Sequence, residues 1–169
     1  MTGSVKANLV YDLIANISII SIPADALIQI WKFCIPQKII CFNWLGLSNR
    51  VHTWDNLIKK GWIGPHWCCL CRAALEYVDH LFTECCFTRQ VLSFISISLS
   101  VPIIWKEPSY LLNVVSWFRK ENNLTYLPPL MAWKIWLARN KCIFEDKKAD
   151  IHYIVHSLLE QLQLYPAHS

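Results

Sequence analysis

Apolar side chains along this chain fall at intervals of three and four more often than at intervals of two, and the elements they predict are helices. A helix is expected over residues 23–33, with Asp25 in its first turn, where a negative charge suits the helix dipole. Pro36 fits the opening of a second, in which Ile39, Ile40, Phe42, Leu45 and Leu47 recur at near-helical spacing. Thr53 is an expected N-cap for a short helix through Lys60, with Asp55 in its first turn, Lys59 and Lys60 in its last, and Gly61 as its stop. Gly64-Pro65 opens a loop. Glu76 and Asp79 then precede an apolar run, the start of a helix that carries His80 and continues or resumes past Cys85 to about Leu99, before Pro102. Further helices are expected over 110–120, from Pro128-Pro129 to about Glu145 with Trp133, Trp136 and Leu137 along one side, and over 151–164. The last of these places Ile151, Ile154, Val155, Leu158, Leu159 and Leu162 on one face. Residues 4–17 suit a strand leading into a helix.

The expectation is a mainly α protein: a small helical domain over residues 4–100 and a helical C-terminal extension over 108–165, with a soft boundary near 100–108. The chain has only four Gly, which leaves few tight hairpins, and it shows no internal repeat. At 169 residues it can bury a core without disulfides. The 54% of apolar residues and nine Trp exceed what a monomer's core requires, so part of the apolar surface is expected either to meet a partner or to enlarge the core.

Eight Cys raise the question of redox compartment. No secretory signal is recognisable, because the first apolar run, 8–22, contains Asp12 and ends at Pro23. No stretch reaches the ~18–20 apolar residues of a membrane span. Reduced thiols inside the cell are therefore expected, in the nucleus or the cytoplasm, and clustered thiols then point to metal. Residues 68–86 read C-C-L-C-R-A-A-L-E-Y-V-D-H-L-F-T-E-C-C. Cys68 and Cys71 offer two thiolates from one tight turn, and His80 and Cys85 an imidazole and a third thiolate. Three thiolates and one imidazole close a tetrahedron around Zn²⁺ and leave no position for water or substrate, so the site reads as structural. Cys69 and Cys86 adjoin proposed ligands and stand as alternatives to them. His66 reads as a loop residue, and His152 with His156 has the i, i+4 spacing of a metal pair but no third ligand nearby. Tyr77-Val78-Asp79-His80 lacks the second carboxylate that two-metal catalysis needs. No phosphate loop, nucleophile elbow or dinucleotide fingerprint is present, and no enzymatic activity is expected.

The net charge is +4, and its distribution matters more than its size. Between residues 29 and 75 the basic positions are Lys32, Lys38, Arg50, Lys59, Lys60 and Arg72, with Asp55 the only acid. This segment suits either phosphate contact or a solvated face.

The order of motifs resembles a known family. I-W-K-F-C-I-P-Q-K-I-I-C-F-N-W-L (30–45), N-R-V-H-T-W-D-N-L-I-K-K-G-W (49–62) and the Cys68/Cys71/His80/Cys85 cluster with H-L-F-T-E-C look like the zinc-binding domain of plant LINE-type retrotransposon reverse transcriptases. S-V-K-A-N-L-V-Y-D-L-I (4–14) resembles the start of that domain, and W-K-I-W-L-A-R-N-K-C-I-F-E (133–145) the helical segment that follows it. Cys69 and Cys86 depart from the family pattern, which has non-thiol residues there. The resemblance implies a zinc-stabilised accessory module detached from its polymerase and ribonuclease H domains. It would hold RNA or DNA through the six basic residues, with Trp54, Trp62 and Trp67 stacking on bases. The competing expectation is a protein-interaction module that packs against a reverse transcriptase core or a second copy, or a decayed remnant of such an element.

Overall fold

The computed structural model describes residues 28, 30–119 and 124–165, and the expected elements over 4–17 and most of 23–33 lie outside the described residues. Ile28, Ile30 and Trp31 are helical. Six α-helices follow: α1 (Gln37–Leu47), α2 (Trp54–Lys59), α3 (Cys86–Leu99), α4 (Tyr110–Phe118), α5 (Leu127–Phe144) and α6 (Ile151–Gln163). A π-helical turn spans His80–Glu84. Among the described residues there is no strand, only one isolated antiparallel bridge between Trp67 and Leu75. The protein is mainly α, as the periodicity predicts. No described helix is long and apolar enough to cross a membrane.

Side chains from both sides of residues 100–108 enter one core. α5 lies at its centre, packed on α1 and α6, and α6 also packs on α3. Leu130, Met131, Ala132 and Ile135 of α5 are fully buried, as are Leu81, Phe82, Ile95 and Leu158 around them. Trp133 and Trp136 do not line this face. They are half-buried on the α1 side against Phe42, and Leu137 is exposed. The spacing of these three residues fits one side of a helix, but it is not the most buried side.

Two buried polar groups fix how the helices meet. Asn43 of α1 donates to the carbonyls of Ile39 and Pro129 at 2.8 and 2.9 Å and accepts from the Tyr110 hydroxyl at 2.8 Å. One amide thereby ties α1 to the starts of α4 and α5. The second is an ion pair. Arg139 of α5 and Glu76 meet at 2.7 Å, with side chains 3% and 0% exposed. Arg139 also donates to the His52 carbonyl at 3.2 Å and lies over the Trp136 ring at 4.7 Å.

Glu76 serves a further end. Its carboxylate accepts from the Trp54 N–H at 3.2 Å and its carbonyl from the Asp55 N–H, satisfying two donors at the start of α2. Thr53 is the N-cap residue, as expected, but its hydroxyl turns to Asp55 at 2.6 Å and makes no capping bond. Glu76, 22 positions downstream of Trp54, supplies the cap instead. Trp54 is pressed flat on Gly64, where a Cβ would lie 2.0 Å from the indole ring. At α6 the local rule holds, and the Asp150 carboxylate accepts from the Tyr153 N–H at 3.2 Å.

Candidate metal centre

The segment before α3 builds two half-sites by different means. The first is a small hairpin. Cys68 N–H donates to Ala74 O at 2.9 Å and Glu76 N–H to His66 O at 2.9 Å, closing the chain on either side of the Trp67–Leu75 bridge. Within it Arg72 N–H donates to Cys68 O, and Arg72 turns through the left-handed region at φ 56°. The turn directs backbone N–H groups at sulfur: Ala73 at Cys71, and Leu70 and Cys71 at Cys68. Such bonds favour thiolates over thiols.

The second half-site is the π-turn. An α-helix advances ~100° per residue, so His80 and Cys85 on one α-helix would point about 140° apart. The chain instead closes Cys85 N–H onto His80 O at 2.7 Å, an i→i+5 bond that brings both residues to one side. The helix resumes after Cys85, which caps α3 in extended conformation with ψ 128°. Its sulfur makes no capping hydrogen bond, but the nearby N–H groups of Phe87 and Thr88 favour its thiolate. Thr88 holds the turn shut by donating from its hydroxyl to Leu81 O at 2.7 Å.

The two halves meet. The donor atoms of Cys68, Cys71, His80 and Cys85 all lie within 4.8 Å of one another. Cys68 Sγ and Cys85 Sγ are 3.9 Å apart, and Cys71 Sγ and His80 Nε2 are 3.3 Å apart. A tetrahedron with Zn–S bonds of ~2.3 Å has sulfurs ~3.8 Å apart, so the spacing suits that ion. Cys68 and Cys85 are 0% exposed and His80 is 4% exposed, with Cys71 half-buried at the rim. Cys85 is held down to about 4, first by its hydrogen bond with Cys68 and then by His80 and the N–H groups of α3. Cys68 is pushed up by that same bond and by burial. His80 is raised, mainly by its hydrogen bond to Cys85. These groups share protons over a distance where one cation would replace them all.

Neither neighbouring thiol joins the group. Cys69 Sγ donates to the Arg139 carbonyl at 3.7 Å, and Cys142 Sγ to the Cys69 carbonyl at 3.6 Å, so Cys69 belongs to the contact with α5. Its thiol is pushed up to about 12, first by burial and then by Cys142. Cys86 is exposed on the first residue of α3. Beside the cluster, the Tyr77 hydroxyl hydrogen-bonds to Glu84 and its ring lies 5.7 Å from that of His80. His152 packs edge-on against Phe94, and His156 pairs with Glu160.

Arg50, Lys59 and Lys60 line one shallow recess beside α2 with Asn49 and Asn56. Lys59 bonds to Asp55 at 3.2 Å and Lys60 meets His52 at 2.9 Å. Arg72 is exposed on the metal hairpin. Lys38 lies over Trp133 at 5.9 Å, and Lys32 is exposed just before α1. Neither of these two lines the recess. Trp62 and Trp67 are 64% and 54% exposed. Trp54 is not free to stack, because Gly64 covers its ring and its indole N–H is buried.

Fold and site together define a helical protein with a cluster of three cysteines and one histidine that could hold one metal ion. Residues 10–91, just under half of the chain, match the family model described as zinc-binding in reverse transcriptase, and this segment is similar to that family. No curated protein and no solved structure matches the chain.

Proposed function

We propose that this protein is a zinc-stabilised nucleic-acid-binding accessory module related to LINE-type reverse transcriptases, and that it performs no catalysis itself. The family and the donor set together support zinc: thiolate and imidazole in a tetrahedral arrangement suit this ion, and four protein ligands leave no position for water or substrate. The ion would join the hairpin to the π-turn and so hold α2 and α3 in place, making metal binding part of folding.

One observation carries the nucleic-acid reading. Arg50, Lys59 and Lys60 converge on one recess, and the exposed indoles of Trp62 and Trp67 follow in the segment that runs from α2 into the metal hairpin. Cations for phosphates and flat rings for unpaired bases are the two parts a single-strand surface needs. Zinc-loaded protein titrated with labelled single-stranded RNA and DNA at increasing salt is expected to show steeply falling affinity. Binding that persists unchanged from low to moderate salt rules the reading out. The same loop favours a second reading. Ile63 is 97% exposed beside Trp62, an apolar tip suited to a protein partner such as a polymerase core or a second copy of the chain. Self-association on a sizing column with no retention of nucleic acid would select that reading. The reduced thiols suit an intracellular setting in either case.

A further inference from the structure

The sequence draws attention to cations before residue 75, but the fold assembles a second group of them at its other end. A recess of about 210 Å³ lies between α5, α6 and the loop joining them. Lys134, Lys141, Lys147 and Lys148 line it, against the single carboxylate of Asp150. That carboxylate is already engaged by the Tyr153 N–H. Lys147 is paired with Glu145 at 2.6 Å. The other three make no ion pair among the described residues. Lys134 is half-buried, and its Nζ donates to the Ser157 hydroxyl at 2.7 Å, a neutral partner. Glu160 acts on Lys134 only at longer range, and burial lowers the pKa of this lysine below the usual value. Lys141 lies 5.6 Å from the Tyr153 ring. Three ammonium groups thus face one concavity without a contacting carboxylate, and the first turn of α6 adds partial positive charge.

The chemistry that answers such a site is a compact anion with several acceptor oxygens, because ammonium groups act on phosphate as point charges from several directions. Its position favours a polymer over a single ion. Lys147 and Lys148 also line the neighbouring recess with Arg72 of the metal hairpin, three cations against the one carboxylate of Asp146. A line of cations therefore connects the hairpin to α6. We propose that the α5–α6 recess is a phosphate site that takes a backbone phosphodiester of single-stranded nucleic acid and extends the binding surface of the metal hairpin across the C-terminal helices. This rests on the nucleic-acid reading above.

The test uses zinc-loaded full chain, a fluorescein-labelled oligonucleotide and fluorescence anisotropy over a salt series. Lys141→Gln with Lys148→Gln is compared with Lys141→Arg with Lys148→Arg, and with wild type, after checking that each retains its zinc and helical content. Loss of the one phosphate seated in the recess lowers the slope of log affinity against log salt by about 0.7, the value per phosphate on a single strand, and the Arg pair keeps the wild-type slope. A Gln pair with unchanged slope and affinity, on a wild type that binds, overturns the recess alone. A wild type that does not bind the oligonucleotide overturns both this proposal and the reading beneath it. A parallel arm follows acetylation of Lys141 and Lys148 by mass spectrometry. Protection by the oligonucleotide supports the proposal; protection by inorganic phosphate alone, with none by the oligonucleotide, identifies a free anion as the occupant and overturns the nucleic-acid assignment.

Discussion

Replacing Arg139 by Met is expected to be among the costliest single changes outside the metal centre. Arg139 is 3% exposed and gives Glu76 three contacts: Nε to both carboxylate oxygens at 3.2 Å and Nη2 to Oε1 at 2.7 Å. Met fills much of the same volume, so the change strips charge while leaving little cavity. What remains is a carboxylate 0% exposed whose other donor is the backbone N–H of Trp54 at 3.2 Å. Stranding one member of a buried pair costs about 3–5 kcal/mol. In a protein of this size that lowers the melting temperature by roughly 10 °C, at ~2–4 °C per kcal/mol. The assay is urea unfolding at fixed free zinc, so that metal linkage stays constant across variants. The double variant Glu76→Gln with Arg139→Met removes both charges and should recover a large part of the loss, giving a coupling energy of about 2 kcal/mol or more. An Arg139→Met protein destabilised by less than about 1 kcal/mol, or a double variant that merely adds the two single losses, would refute the claim that this pair is dry and mutually dependent.

Metal analysis distinguishes the thiols: Cys68→Ser, Cys71→Ser, Cys85→Ser and His80→Ala each lower the zinc content, whereas Cys69→Ser and Cys86→Ser keep one ion per chain, and the reverse pattern removes this ligand set. Gly64→Ala forces a methyl into the Trp54 ring and is expected to cost about 1–3 kcal/mol by overpacking, read as a lower urea midpoint; an unchanged midpoint shows that the ring moves freely. Protons compete with the cation for three thiolates and an imidazole, so zinc affinity should fall as pH falls, and a chelator at neutral pH should lower the melting temperature. An affinity that is flat from pH 8 to 5.5 would mean that these groups are not the ligands.

How much of this was legible beforehand depends on the range over which each feature is decided. Helix existence is a local matter. The runs at 37–47, 110–118 and 151–163 carry their own periodicity, and Asp150 caps α6 from the adjoining position. The four clustered candidate donors were readable for the same reason, since they lie within 18 residues of one another and their spacing suits a shared ion.

The tertiary structure decided what depends on distant partners. Spacing allowed Cys69 or Cys86 to replace a named donor. The fold separates them because Cys69 is drawn to α5 by Arg139 and Cys142, 70 or more positions away. Spacing also placed His80 and Cys85 about one helical turn apart, but an α-turn aims them differently, and only the π-closure brings them to one side. Thr53 carried the sequence mark of a cap, yet Glu76 does the capping because Arg139 holds its carboxylate there. Trp54 looked as available as Trp62 until Gly64 was seen to cover it. The sequence alone determined that the chain would be helical and would gather thiols into a cluster able to hold a cation, because periodicity and donor spacing act within a few residues. Which thiols face that cation, which aromatics remain open and which lysines share a recess required the packed core, because each is set by contacts between residues far apart in the chain.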